Sequence, residues 1–198
     1  MEKLLLGDSI INQFAQIIPI VLFISLVYII FRINYTKKKN IKFNYKQEIV
    51  YLIFVCYITD LLNLVLLPQN FWINIWQYIY YGFSENPFEG MFEFEYNVIP
   101  ILYKIISGQY ILGNWVKTML FLNILMFVPM GVLLPICFKR INSKNIFIYA
   151  FLIPFIVEII QPIFGRSFDI DDLITNFLGI IIGYFMYILF IKIFKVKK

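Results

Sequence analysis

The sequence contains no histidine among its 198 residues. That absence excludes Ser-His-Asp and Cys-His catalysis, the commonest proton shuttle and every histidine-ligated metal site. Cysteine is scarce as well, because Cys56 and Cys137 are the only two and each lies within an apolar run. They form no CxxC motif, so both are expected to pack as small hydrophobic side chains. Any chemistry must therefore be carried by Asp, Glu, Lys, Arg, Tyr or Ser.

Charge is the second shortage. Only 15% of the residues are charged and 61% are hydrophobic, whereas about a quarter of the residues in an average soluble domain are charged. A helix needs roughly 20 apolar residues to cross the hydrocarbon core of a membrane. Five segments qualify, namely residues 10–31, 49–67, 118–138, 145–164 and 173–191. The predicted fold class is all-α, a polytopic membrane helix bundle of about five transmembrane helices in one domain, residues 1–198.

Residues 68–117 form the one long connector between the predicted spans. Aromatic residues in its first half are interleaved with glutamates, which is typical of a segment at the lipid headgroup level or packed over a helix bundle. Its apolar end, residues 98–112, contains Pro100 and Lys104 and is too short to span a membrane. We expect a re-entrant or interfacial helix there.

Lysine and arginine concentrate in the cytoplasmic loops of membrane proteins. Residues 32–48, 139–144 and 192–198 together hold 13 of the 17 basic residues. This distribution predicts an N-terminus outside, a C-terminus in the cytoplasm and an extracytoplasmic aromatic connector at residues 68–117. The basic loops are interpreted as lipid-facing topology signals, so membrane lipids are expected partners and nucleic acid is not.

Four of the predicted spans each carry a polar residue at a similar depth. At a rise of about 1.5 Å per residue, these residues lie roughly 6 to 12 Å below the outer ends of their helices. Charged groups at such depth cost a few kcal/mol and usually face a partner or a wet cavity. The sequence therefore predicts an outward-open polar pocket. Its candidate ligand-binding residues are Asp60, Asn123, Glu158, Gln161, Arg166, Asp169, Asp172 and Asn176.

The same residues also have purely structural interpretations. Asp169, Asp171 and Asp172 precede the fifth predicted span, where carboxylates cap free N–H groups and complement the helix dipole. Arg166 can pair with Glu158 or with an aspartate, and the asparagines can join helices by hydrogen bonds. The run "GIIIG" matches a GxxxG motif and indicates close helix packing. No cofactor is expected, although a divalent cation at Asp169, Asp171 and Asp172 is left open by the pattern.

Three ordered stretches in the C-terminal half share a pattern of polar, proline and glycine residues. They are "FLNILMFVPMGVLLP" (121–135), "EIIQ" (158–161) and "GRSFDIDDLITNFLGIIIGY" (165–184), preceded by "EYNVIP" (95–100). The pattern resembles the VanZ-like family of small bacterial membrane proteins. The positions that match it are Asn123, Phe127, Pro129, Gly131, Glu158, Gln161, Arg166, Asp169, Asp172, Asn176, Gly179 and Gly183.

The resemblance implies a multi-pass envelope protein of the bacterial cytoplasmic membrane. Some members of the family are associated with low-level resistance to the lipoglycopeptide teicoplanin, so a role in glycopeptide antibiotic resistance is one expectation. The family pattern transfers no catalytic residues to this chain.

Two functions compete on this evidence. We favour the binding of an amphipathic envelope ligand, such as a lipid, a lipid-linked wall precursor or a lipoglycopeptide, with Arg166 at its head group and connector aromatics along its apolar part. The alternative is an intramembrane enzyme that acts on a lipid-linked phosphate substrate, with Glu158 or an aspartate as general base and Arg166 on the phosphate. Coupled transport is disfavoured, because the polar groups lie only in the outer half of the predicted spans. The sequence does not specify an oligomeric state.

Overall fold

The computed structural model describes residues 10–40, 44–68, 71–82, 91–92, 94–109 and 113–194. The helices, in chain order, are α1 (Ile10–Lys39), α2 (Tyr45–Leu66), α3 (Phe71–Tyr81), α4 (Ile101–Ile106), α5 (Asn114–Cys137), α6 (Ile146–Ile160) and α7 (Ile170–Phe194). Two short strands, β1 (Tyr96–Asn97) and β2 (Phe168–Asp169), pair in parallel, and a 3₁₀ turn, Gln161–Phe164, follows α6. Within the described residues, five helices are long and apolar enough to cross a membrane, namely α1, α2, α5, α6 with its 3₁₀ turn, and α7.

The predicted all-α polytopic fold is confirmed, and most of the spanning helices extend beyond their apolar runs. α1 continues through polar residues to Lys39, and α2 begins at Tyr45, before the apolar run at residue 49. α7 begins at Ile170, so Asp171 and Asp172 lie in its first turn and not before it. Because backbone hydrogen bonds propagate a helix whatever the polarity of its side chains, hydropathy alone underestimates helix length.

The connector between the second and third spanning helices is partly helical. α3 is an aromatic helix of 11 residues, and α4 has 6 residues within the range where the sequence predicts an interfacial or re-entrant helix. The pairing of β1 with β2 has no counterpart in the sequence-based prediction. Residues 83–90 of the connector lie outside the described residues, and its extracytoplasmic placement stays a prediction.

The chain divides into two compact units, each of which is described by itself. The first contains α1, α2 and α3 with residues 164–166. Its helices α1 and α2 run antiparallel. Arg32 late in α1 pairs with Glu48 early in α2 at 2.7 Å, and Ser25 Oγ, earlier in α1, lies 3.1 Å from Cys56 Sγ, later in α2. The second unit contains the remaining elements. The single domain predicted for residues 1–198 stays a prediction.

In the second unit, α5 and α7 pack backbone against backbone. A Cβ atom placed on Gly131 of α5 would overlap the carbonyl oxygen of Ile180 in α7. Conversely, a Cβ atom on Gly183 would overlap the carbonyl oxygen of Val128, and one on Gly179 would also meet the backbone of α5. The close helix packing predicted from the GxxxG motif is therefore confirmed.

The same contacts give the helix directions in the second unit. Asn123 meets Asp172 near the starts of α5 and α7, and Gly131 meets Gly183 two to three turns further along both helices. α5 and α7 are therefore parallel. α6, which follows α5 through the loop at residues 138–145, runs in the opposite direction and packs against α7. As a result, the starts of α5 and α7 lie at the same end of this three-helix bundle as the end of α6.

Candidate functional site

A group of polar side chains lies where α6 ends and α7 begins. Its members are joined by hydrogen bonds or adjacent in sequence, and all belong to the second unit. This polar cluster consists of Asn97, Lys104, Asn123, Glu158, Asp169, Asp171 and Asp172. Because four members are carboxylic acids and one is a cation, hydrogen-bond acceptors are in excess in the cluster.

Asp169 connects three elements of the cluster. Its Oδ1 accepts a hydrogen bond of 2.8 Å from the backbone N–H of Asp171, so Asp169 caps α7 as the sequence predicts. Its Oδ2 accepts from Asn97 Nδ2 in β1 at 3.0 Å. Its own backbone N–H donates to Glu158 Oε2 in α6 at 3.0 Å. One residue therefore fixes the start of α7 relative to both β1 and α6.

The Asp171 carboxylate caps a helix other than its own. Both of its oxygens accept from the backbone N–H of Ile101, the first residue of α4, at 3.1 and 2.9 Å. The sequence places Asp171 among the candidate caps of the fifth span, but the structure assigns this side chain to a helix start 70 residues earlier. Asp171 thus attaches the connector to the first turn of α7.

Glu158 is fully enclosed, with 0% of its surface exposed, and Gln161 is 2% exposed. Glu158 lies near the end of α6 and Gln161 is the first residue of the 3₁₀ turn. Because they are three residues apart, their side chains lie on the same face of this segment. Burying a carboxyl group is costly unless it is hydrogen-bonded. The Asp169 N–H supplies one such bond to Glu158. Glu158 is thus the most deeply buried carboxyl group of the cluster.

Asn123 joins α5 to α7, because its Nδ2 donates to Asp172 Oδ1 at 2.6 Å. Asn176 lies one turn further along α7, on the same face as Asp172. It is 3% exposed, and within the described part of the chain its Oδ1 has no hydrogen-bond partner. A buried acceptor left unbonded costs about 1–3 kcal/mol, so a donor brought by a ligand or a water molecule would stabilise this position.

Two members of the cluster, Asn97 and Lys104, are not among the site residues predicted from the sequence. Lys104 Nζ donates to Asn97 Oδ1 at 3.1 Å, and Asn97 in turn donates to Asp169. The available signal was the stretch "EYNVIP", which resembles a family motif and contains Asn97. No local pattern marked Lys104, whose partner lies seven residues away across the turn between β1 and α4.

Asp60 and Arg166, the other two predicted site residues, belong to the first unit. Asp60 is half-buried in α2. Arg166 Nη1 donates to the backbone carbonyl oxygen of Leu64 at 2.8 Å. In a regular helix that carbonyl would accept from residue 68, which is a proline without an N–H. The structure therefore gives Arg166 a helix-capping partner where the sequence suggested an acidic one.

The structure thus brings Asn123, Glu158, Asp169 and Asp172 together, with Gln161 and Asn176 buried in the adjoining turns. Their role in ligand binding stays a prediction. Among the residues that the structure describes, no group of three or more acidic or thiol side chains is placed to hold a metal ion. Asp169, Asp171 and Asp172 each accept from a donor on a different element.

Five apolar spanning helices with a polar cluster at the end of one helix bundle define a multi-pass helical membrane protein. The family model described as VanZ/LLP1 matches residues 17–191, and the chain belongs to this family. The Protein VanZ of Enterococcus faecium is 38% identical over 77 residues, which cover 38% of this chain and 48% of that protein. The match therefore spans about half the length of that curated relative. No solved structure matches this chain.

Proposed function

We propose that this protein lies in the bacterial cytoplasmic membrane and binds an amphipathic envelope ligand at its polar cluster, which faces outward. The observation that carries the proposal is the amphipathic character of residues 96–106. In this segment Asn97 and Lys104 bond into the cluster, while Tyr96, Leu102 and Ile106 are more than half exposed. Polar groups that fix a head group beside apolar surface are what an amphipathic ligand requires.

The burial of the cluster is graded in a way that supports a binding role. Asp169, Asp171 and Asp172 are only partly buried, whereas Glu158 and Asn176 are almost fully enclosed. A head group can therefore reach the three aspartates without unfolding any element. The enclosed residues beneath them hold the aspartates in place through the Glu158–Asp169 hydrogen bond.

The alternative, an intramembrane enzyme acting on a lipid-linked phosphate, has less support. It requires a guanidinium group directed at phosphate and a carboxylate available as a general base. Arg166 is hydrogen-bonded to the Leu64 carbonyl, and Glu158 accepts the Asp169 N–H. Comparison of the lipids and wall precursors of a deletion strain with those of its parent tests this alternative, since an accumulated lipid-linked phosphate would favour it.

Lipoglycopeptides are candidate ligands through the family relationship. Teicoplanin carries an acyl chain and a polar body, so it fits the same description as a lipid or a lipid-linked wall precursor. We propose that binding at the polar cluster would lower the amount of drug, or of its target, that is free at the membrane surface, and that this protein contributes to teicoplanin resistance in that way.

The proposal is tested by expressing the protein in a teicoplanin-susceptible strain. We expect a higher inhibitory concentration of teicoplanin, and a defined amphiphile that copurifies with the protein and is detected by native mass spectrometry in neutral detergent. Asp172→Asn should reduce both effects, because it weakens the contact that joins Asn123 to α7 and removes an acceptor. Glu95→Gln is the matched control, because that exposed side chain loses the same charge outside the cluster.

Protein levels must be equal in all strains for this comparison. Loss of protein in the Asp172→Asn strain would assign Asp172 to folding. An absence of any copurified amphiphile from the unaltered protein, together with unchanged resistance, would contradict the proposed function.

A further inference from the structure

We infer that the polar cluster selects a head group that carries a primary ammonium group, and discriminates against head groups that are anionic or lack N–H donors. This inference rests on the proposed function and specifies its ligand class. The structural basis has two parts. The acidic side chains have spare acceptor capacity, and the buried amide oxygen of Asn176 has no donor among the residues that the structure describes.

Most donors of the cluster are directed at its own carboxylates, and the exception is Lys104 Nζ, which donates to Asn97 Oδ1. The side-chain amides of Asn97 and Asn123 donate to Asp169 and Asp172. The backbone N–H of Asp171 donates to Asp169, and that of Ile101 donates to Asp171. A phosphate or carboxylate head group entering here would have to compete with the aspartates for these N–H donors, because an anionic head group brings acceptors and no donor.

The acceptors, in contrast, are not exhausted. An ionised carboxylate has about four lone-pair sites, and Asp169 and Asp171 each accept two hydrogen bonds in the described structure. A primary ammonium group has three N–H donors and no acceptor, which complements such a site. A quaternary ammonium group carries the same charge but offers no N–H donor.

Asn176 is the second and independent observation that points to a ligand. Its side chain lies on the face of α7 that also carries Asp172 and Gly179, so it is directed toward α5, one turn beneath the Asn123–Asp172 contact. Its Oδ1 is buried and lacks a donor among the described residues. An N–H or O–H group of a ligand, or of a water molecule, placed beside the Asn123–Asp172 contact would complete that acceptor.

The charge balance favours the same ligand class. Glu158, Asp169, Asp171 and Asp172 are opposed by Lys104 alone within the cluster. The start of α7 would ordinarily attract an anion because its free N–H groups carry partial positive charge. Here Asp169 already accepts one of those N–H groups, and two further aspartates lie in the first turn. The carboxylate of Asp169 therefore already occupies the position at the start of α7 where an anionic ligand would bind.

Three lipids with identical short acyl chains test the inference, namely phosphatidylethanolamine, phosphatidylcholine and phosphatidylglycerol. They share a phosphodiester and differ in bearing a primary ammonium, a quaternary ammonium or an uncharged glycerol. The full-length protein in a neutral detergent is titrated with each, and the fraction of lipid-bound protein is measured by native mass spectrometry. We expect phosphatidylethanolamine to bind about tenfold more tightly than either of the others, because only its head group offers charge-assisted N–H donors to the aspartates.

Single-residue variants test whether the preference for phosphatidylethanolamine depends on the polar cluster. Asn176→Leu and Asp169→Asn should each reduce the preference for phosphatidylethanolamine severalfold, whereas Glu95→Gln should leave it unchanged. The comparison of three lipids on the unaltered protein does not depend on whether a variant folds.

The outcomes separate this inference from the function on which it rests. Equal binding of the three lipids, or tighter binding of phosphatidylglycerol, would overturn the ammonium preference and leave amphiphile binding intact. Equal binding of phosphatidylethanolamine and phosphatidylcholine above phosphatidylglycerol would show selection by charge without donor recognition and would also overturn it. Retention of none of the three lipids, with no other copurified amphiphile, would count against the proposed function itself.

Discussion

Arg166 shows at the scale of one residue how a predicted site residue acquires a structural partner. Pro68 follows α2 and has no N–H, so the carbonyl of Leu64 lacks its helical donor. The guanidinium of Arg166 supplies that donor at 2.8 Å. Unsatisfied carbonyl groups at a helix end must find a side chain or water, and inside a membrane protein water is scarce. Arg166 is therefore expected to stabilise the end of α2.

A double-mutant cycle tests this role of Arg166. Arg166→Met should lower the free energy of unfolding by about 1–3 kcal/mol, because it leaves the Leu64 carbonyl without its donor. Leu67 is extended before Pro68, as residues that precede proline usually are. Pro68→Ala permits α2 to continue through Leu67 and supplies the N–H from which Leu64 would normally receive its bond. In that background the cost of Arg166→Met should shrink, which thermal unfolding in detergent would measure. Equal costs in both backgrounds would refute the capping role.

At the scale of elements, the contact between α5 and α7 depends on having no side chain at Gly131, Gly179 and Gly183. In a membrane, where lipid is as apolar as leucine, helices associate through close backbone approach and through polar contacts. Here the glycines supply the first and the Asn123–Asp172 bond supplies the second. The polar cluster therefore lies on a tightly packed helix pair.

Gly131→Ala should lower the free energy of unfolding of the second unit by about 1–3 kcal/mol or more, because overpacking usually costs that much. The added methyl group would overlap a backbone oxygen, which cannot move aside as the end of a flexible side chain can. Gly113→Ala is the matched control, because nothing lies within 4 Å of a Cβ atom at that position. Its effect should stay below about 1 kcal/mol. Thermal unfolding of both variants in the same detergent makes the comparison, and equal stabilities would contradict the packing argument.

Also at this scale, the acidic stretch at residues 166–176 separates into distinct tasks. Asp169 caps α7 and holds β1, Asp171 caps α4, and Asp172 contacts α5. Three similar side chains thus attach three different elements to the start of one helix. A sequence pattern of closely spaced aspartates cannot distinguish these tasks, because each depends on the element that happens to be adjacent in space.

At the scale of the whole molecule, orientation is the prediction that most affects function. If the N-terminus is outside, Gly113 precedes α5 on the outer side and Lys144 lies in a cytoplasmic loop. Single cysteines at these two exposed positions, in a background with Cys56 and Cys137 replaced by serine, allow a direct test. A membrane-impermeant maleimide should label Gly113→Cys in intact cells and Lys144→Cys only after lysis. The reverse pattern would place the polar cluster at the cytoplasmic face.

Much of the fold could be predicted from the sequence, because spanning helices require long apolar segments and the bilayer leaves few alternatives. Glu158 and Asn123 could be selected for the same reason, since polar groups are costly within an apolar span. The partners of Asp171 and Arg166 could not be predicted, because Ile101 and Leu64 lie 70 and 102 residues away and carry no polar side chain. Lys104 could not be predicted because it lies in a connector, where charged residues are common and do not indicate a site.

The glycine contact between α5 and α7 has a consequence for the passage of ligands through the second unit. Beneath Asn176 the two backbones touch, so a ligand held at the cluster cannot pass between these two helices toward their other ends. A molecule held at the polar cluster would have to leave on the side from which it arrived. Such an arrangement suits a receptor that retains or presents its ligand at one leaflet. We therefore expect the amount of bound ligand to rise in proportion to the number of protein molecules in the membrane.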